Sequence, residues 1–261
     1  MHGTLKRWIF GLALAAALVV GSRASAGPIG VDYFVDLTLS TDSMAAGINA
    51  WAAAHPGANV NMTNDQNNFA AALASGNYNI AVVAIQDNSY YSYPTATSAL
   101  ASFFAGGGKV IVQDWYYPGF DSGFIAPYGA TFTGPNDHNA FTVGANPYGL
   151  PTGGYSLTNP GWGIYSTDLT PNAGSSVAAT FDATGNGAIV YGSTGRSIVN
   201  GFLTDTFAGS SQGAALYEAE LNSFVQAPAA VPEPASMTLL GIAGFTCAGY
   251  FGWRRRKAVK A

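Results

Sequence analysis

Apolar and polar positions in the first half of the chain alternate between two periods. Val31 to Leu37 is rich in β-branched and aromatic residues and reads as a first strand. Ser40, Thr41 and Asp42 then offer N-cap oxygens for a helix over Ser43 to Ala54. Met44, Ile48 and Trp51 fall on one face of it, toward a core. His55-Pro56-Gly57 stops that helix. Ala58 to Met62 is a short second strand, and Asn64 or Asp65 caps a helix over Gln66 to Ser75, with Phe69 and Leu73 inward. Asn79 to Ile85 is a continuous apolar run, as a central parallel strand covered on both faces requires. Pro94 opens a third helix, which runs to Ala105 with Leu100, Phe103 and Phe104 inward. After Gly106-Gly107-Gly108, Lys109 to Gln113 is another buried strand and ends at Asp114. Four strand–helix units in succession predict a parallel sheet with right-handed crossovers.

From Trp115 to Pro171 the pattern breaks into Gly, Pro, Asn, Thr and Tyr. The reading is an irregular, β-rich insertion over about 115–175, with short strands at Thr131 to Thr133 and Phe141 to Val143. Val177 to Phe181 and Ala188 to Tyr191 flank a hairpin turn, and Ser197 to Leu203 is one more strand. Gln212 to Val225 closes the domain as a helix with Leu216, Glu220 and Phe224 one turn apart. The predicted sheet has about five main strands in the order 2-1-3-4-5, with the insertion over its carboxyl edge.

The two ends of the chain carry other signals. Lys6 and Arg7, the apolar run Trp8 to Val20 and Ala24-Ser25-Ala26 have the form of a signal peptide cleaved after Ala26. A retained N-terminal anchor is the weaker alternative. At the far end, Ala227 to Pro234 is a Pro/Ala linker. Val231-Pro232-Glu233-Pro234 leads to an apolar run from Met237 to Trp253, then to Arg254-Arg255-Arg256-Lys257. The run is about 17 residues, the lower limit for a membrane span, and the basic cluster after it orients such a span. The domain reading is a signal peptide at 1–26, an exported domain at 27–226, a linker at 227–236, a transmembrane helix at 237–253 and a basic cytoplasmic tail at 254–261.

This tail resembles the PEP-CTERM sorting signal of Gram-negative bacteria that make exopolysaccharide. The resemblance implies export through the translocon, transient anchoring in the inner membrane, processing by an exosortase-type membrane peptidase, and delivery to the envelope, surface or matrix. The exported domain resembles a class I glutamine amidotransferase-like domain on the strength of Phe103 to Val112 and Gly185 to Gly192. That implies a three-layer α/β/α flavodoxin-like fold. Catalytic members carry a cysteine on the turn after a central strand, where Gln113-Asp114-Trp115-Tyr116 stands here. Family catalysis is therefore not implied.

Charge narrows the partners. Between Gly27 and Ala230, 13 acidic residues face only Lys109 and Arg196, a net of −11 against −4 for the whole chain. Such a surface repels nucleic acid. The one cysteine, Cys247, lies in the apolar run, so the domain has no disulfide, thiolate ligand or cysteine nucleophile. No phosphate loop, Gly-x-Ser-x-Gly elbow or His-Glu-x-x-His motif is present, and no cofactor is expected.

Candidate chemistry gathers at strand ends, where open parallel sheets bind ligands. Asp87, Tyr90 and Tyr91 follow one strand; Asp114, Trp115 and Tyr116 follow the next; Ser40 follows the first. Aromatic faces beside carboxylates and amides suit a sugar. Equally, the tyrosines can pack the insertion while Asp87 and Asp114 cap turns. Asp182 to Gly187 spaces oxygens as a calcium loop does, but without the distal acid, so a plain turn is favoured. His55 and Asp137-His138 read as structural, and Asn61-Met62-Thr63 as a coincidental glycosylation sequon. The resulting expectation is a non-catalytic envelope or matrix protein that binds saccharide. The alternative is a hydrolase of exopolysaccharide or peptide using Asp87 and Asp114.

Overall fold

The structure, a computed structural model, describes residues 29–114 and 122–225. The chain divides into Met1–Ser223 and Phe224–Ala261; beyond residue 225 the second unit lies outside the described residues. The first unit opens with β1 (Gly30–Val35), α1 (Ser43–Ala54), β2 (Asn59–Thr63), α2 (Gln66–Ala74), β3 (Ile80–Ile85), α3 (Pro94–Ala105) and β4 (Lys109–Asp114). It continues through β5 (Ala130–Pro135), β6 (Ala140–Val143), β7 (Gly153–Ser156), β8 (Thr167–Pro171), β9 (Ser176–Phe181), β10 (Gly187–Tyr191) and β11 (Ser197–Asn200), then α4 (Ser210–Val225).

Local chemistry accounts for the helices. Asp42 accepts from the N–H groups of Met44 and Ala45 at the start of α1, and Asp65 does the same for Asn67 and Asn68 in α2. Pro94 begins α3, where a missing N–H costs little. Every residue of β3 is buried, as a strand covered on both faces requires. Phe34, Val83, Ile85, Val110 and Val112 pack with Phe69 and Leu73 of α2 and Leu100 of α3. The alternate residue Gln113 instead donates to the Tyr217 hydroxyl of α4 at 2.6 Å, on the opposite face. There α1 meets α4 closely: a Cβ on Gly47 would stand 2.7 Å from the Tyr217 Cβ.

The expectation of a five-stranded flavodoxin-like sheet is overturned, although the parallel strands β2-β1-β3-β4-β11 keep the expected order 2-1-3-4-5. The sheet has 11 strands, in the order β2-β1-β3-β4-β11-β10-β9-β6-β7, with β8 on β10 and β5 on β8. Pairing is parallel from β2 to β11 and antiparallel beyond. The stretch expected to be an insertion therefore extends the same sheet. Its strands alternate, with Phe141 and Val143 of β6 buried and Thr142 exposed, so they suit antiparallel pairing with one face covered. Aromatic rings fill that side. Phe141 stacks on Phe202 at 4.6 Å and on Tyr155 at 4.9 Å between centroids.

Among the described residues no helix is long and apolar enough to cross a membrane. The expected span at 237–253, the signal peptide, the linker and the basic tail lie outside the described residues. No described helix supplies the membrane span that the transient anchor required.

Candidate functional site

The carboxyl ends of β1, β3, β4 and β11 form a crest, and buried polar side chains hold it closed. Asp36, one residue past β1, accepts from the N–H groups of Leu37 and Gln86 at Oδ1 and of Asp87 and Asn88 at Oδ2, at 2.7–3.2 Å. Burial raises its pKa while these donors pull it down. The carboxylate thus ties the segment after β1 to the segment after β3. Gln86, fully buried, donates to the Leu37 carbonyl and accepts from the N–H and hydroxyl of Thr204. Asp205 accepts from the N–H groups of Leu39 and Ser40 and from Trp162 Nε1. The segment from Asp36 to Ser40 is stapled on both sides.

The expected site residues separate on this frame. Asp87 is exposed, and Asn88 Nδ2 donates to its Oδ2 at 3.0 Å. Tyr91 is 58% exposed, on a turn of 3-10 helix at Tyr90–Ser92. Tyr90 instead lies half-buried, stacked on Phe124 with centroids 5.2 Å apart. Ser40 is exposed. Leu37 and Leu39, also exposed, share the crest with Tyr91. Asp114 is buried at the end of β4 and lines a crevice of about 10 Å³ with Tyr165, Ser166, Thr167 and Phe202. That volume suits one water and no sugar ring. Trp115 and Tyr116 lie outside the described residues.

A second constellation was not legible in the sequence. His138, which looked isolated, places Nε2 2.9 Å from Asp168 Oδ1, both side chains buried. Asn136 and Thr184 also donate to Asp168, and the imidazole stacks on Phe181 at 4.0 Å. Burial alone would raise the Asp168 carboxyl; hydrogen bonds from Asn136, Thr184 and Asn186, with His138, bring it below its ordinary value. The pairing comes from strand β8, whose Asp168 is separated from His138 by a stretch with no periodicity. Asp182 to Gly187 is a turn: Thr184 serves Asp168, and Asp182 accepts from the Thr142 hydroxyl. Among the described residues no group of three or more His, Cys, Asp or Glu is placed to hold a metal.

Residues 230–257 match the PEP-CTERM protein-sorting motif. The chain is thus an exported, PEP-CTERM-bearing cell-envelope protein. No curated protein matches the chain. A solved exo-β-1,4-mannosidase from Opitutaceae bacterium strain TAV5 is similar over 84% of this chain, with a TM-score of 0.46 at 9% identity. The chain spans 38% of that structure. Two expectations are corrected here. The domain is not assigned a glutamine amidotransferase-like fold, and it is no longer set down as a non-enzyme. A likeness of this size establishes neither catalysis nor its absence.

Proposed function

We propose that the domain at 27–226 acts on carbohydrate of the cell envelope or its exopolysaccharide matrix, after removal of the signal peptide at 1–26. The tail, joined through the linker at 227–236, is the substrate of an exosortase-type peptidase. The sugar binds at the crest, against the Tyr91 ring and the Asp87 carboxylate, and Asp87 and Asp114 form the carboxylate pair for cleavage of a glycosidic bond. The observation that carries this reading is the exposed Tyr91 ring, set against the Tyr90 ring at 4.0 Å between centroids, in the same loop as the exposed Asp87, whose N–H Asp36 holds. A ring held in place stacks on a sugar face with little ordering cost. Asp114 pairs in register with Ile85, which puts it at the strand end next to Asp87, and the crevice beside it has room for a water. With both Lys109 and Arg196 at the amino ends of their strands, a neutral glycan is favoured over an anionic one.

A glycan-array screen of the exported protein, with product analysis on the hits, tests both halves. Tyr91→Ala should weaken binding by about 1 kcal/mol or more, and Asp114→Asn should stop product formation while binding persists. Binding that is unchanged in Tyr91→Ala removes the crest from consideration. Binding without products from the wild type removes the hydrolysis.

A further inference from the structure

Between β4, β11 and α4 lies a buried polar cluster that the crest does not use. Gln113 and Asn200 are register neighbours on β4 and β11. Tyr217 and Glu220 stand three residues apart on α4, hence on one face. Gln113, Tyr217 and Glu220 have no solvent exposure, and Asn200 has 1%. Gln113 Nε2 donates to the Tyr217 hydroxyl, and Asn200 Nδ2 donates to Glu220 Oε2 at 3.1 Å. That leaves Gln113 Oε1, Asn200 Oδ1 and Glu220 Oε1 buried with no hydrogen-bond partner.

Acceptors outnumber donors here, and among the described residues no lysine or arginine makes up the difference. Arg196 donates to the carbonyls of Phe104 and Gly108, and Lys109 begins β4 at its far end. A buried carboxylate with one amide donor and no counter-charge is strongly disfavoured. A protonated carboxyl is different, because its O–H is the donor the cluster lacks. We propose that Glu220 is held as a neutral carboxylic acid whose proton fastens α4 to β4 and β11, so that losing the proton loosens the helix.

The surroundings agree. Burial pushes the Glu220 carboxyl up to about 8, with the Asn200 hydrogen bond acting the other way. The titratable groups facing it are Tyr217 on α4 itself, Tyr191 from β10 and Tyr155 from β7. Burial first, and Glu220 second, hold all three phenols above their ordinary value. Asp42 and Asp205 act on Tyr217, and β4 and β11 contribute only the amides of Gln113 and Asn200. Glu220 is therefore the first member of the cluster to ionise as pH rises.

For an acid whose folded pKa lies above its unfolded value of 4.5, the stabilisation is full below that value and is lost as pH rises to about 8. Hydrogen exchange of α4 in the full chain, corrected for intrinsic rates, reads the opening directly. Its opening constant should rise about tenfold more per pH unit across this window in the wild type than in Glu220→Gln, which keeps a neutral donor in place. A level wild-type profile overturns the proposal, and so does a Glu220→Gln slope as steep as the wild type's. Infrared difference spectra supply a measurement that needs only the wild type if that variant fails to fold. A protonated-carboxyl C=O band should be present at acidic pH and vanish on titration through the same window; a spectrum without that change also overturns it.

Discussion

Asp32 lies on β1 with no solvent exposure; its Oδ1 accepts from Asn61 Nδ2 at 2.7 Å and its Oδ2 has no partner. Burial pushes this carboxyl from 3.8 up to about 7, against the Asn61 hydrogen bond. Asp168 is the opposite case, since enough donors converge on it to keep it charged despite burial. These two buried acids differ in the donors that reach them: one amide for Asp32, and Asn136, Thr184, Asn186 and His138 for Asp168. Because the folded state holds the Asp32 proton more tightly, its contribution is complete below about pH 4 and is lost as pH rises to about 7. Asp32→Asn removes the titrating group, so its urea midpoint at pH 8 should exceed that of the wild type and this part of the pH slope should disappear. An equal slope in both proteins would count against a neutral Asp32.

At the scale of elements, the crest is built from side chains that hold backbone. Asp205 joins the segment after β1 to Trp162, and Gln86 joins it to Thr204. Asp205→Ala would leave the N–H groups of Leu39 and Ser40 and the Trp162 indole without their acceptor, at a cost of about 1–3 kcal/mol for each group that stays buried. The expected result is faster hydrogen exchange at Leu39 and Ser40 and a lower unfolding midpoint. Unchanged exchange at both amides would show that the segment needs no staple. Strands β1, β3 and β4 were legible because each holds an apolar run, and the first two helices because each lies between a cap and a stop. β7, which begins Gly153-Gly154, and β8, with Asp168 buried inside it, carry no such signal. Their partners β6, β5 and β10 hold them as strands.

For the whole molecule, the sorting motif at 230–257 is a short continuous stretch that is matched as sequence. Replacing Pro232, Glu233 and Pro234 with Ala should leave the domain folded but abolish processing. Mass spectrometry would then find C-terminal peptides in the variant that are absent from mature wild-type protein. Recovery of an intact C-terminus from most wild-type molecules would defeat the processing reading. Sequence alone determined this address, the charge balance, and the strands and helices from β1 to β4, because each depends on neighbours in the chain. It also brought Asp87, Tyr90, Tyr91, Asp114, Trp115 and Tyr116 forward as candidates without deciding which are exposed. Tertiary structure alone decided that residues after Asp114 extend one sheet to 11 strands, that Asp36 ties the segment after β1 to that after β3, and that His138 meets Asp168. It alone also gathered Gln113, Asn200 and Glu220 under α4. Those arrangements join residues distant in sequence, where hydrogen-bond partners and the exclusion of water are set by the packed fold and leave no periodic trace along the chain.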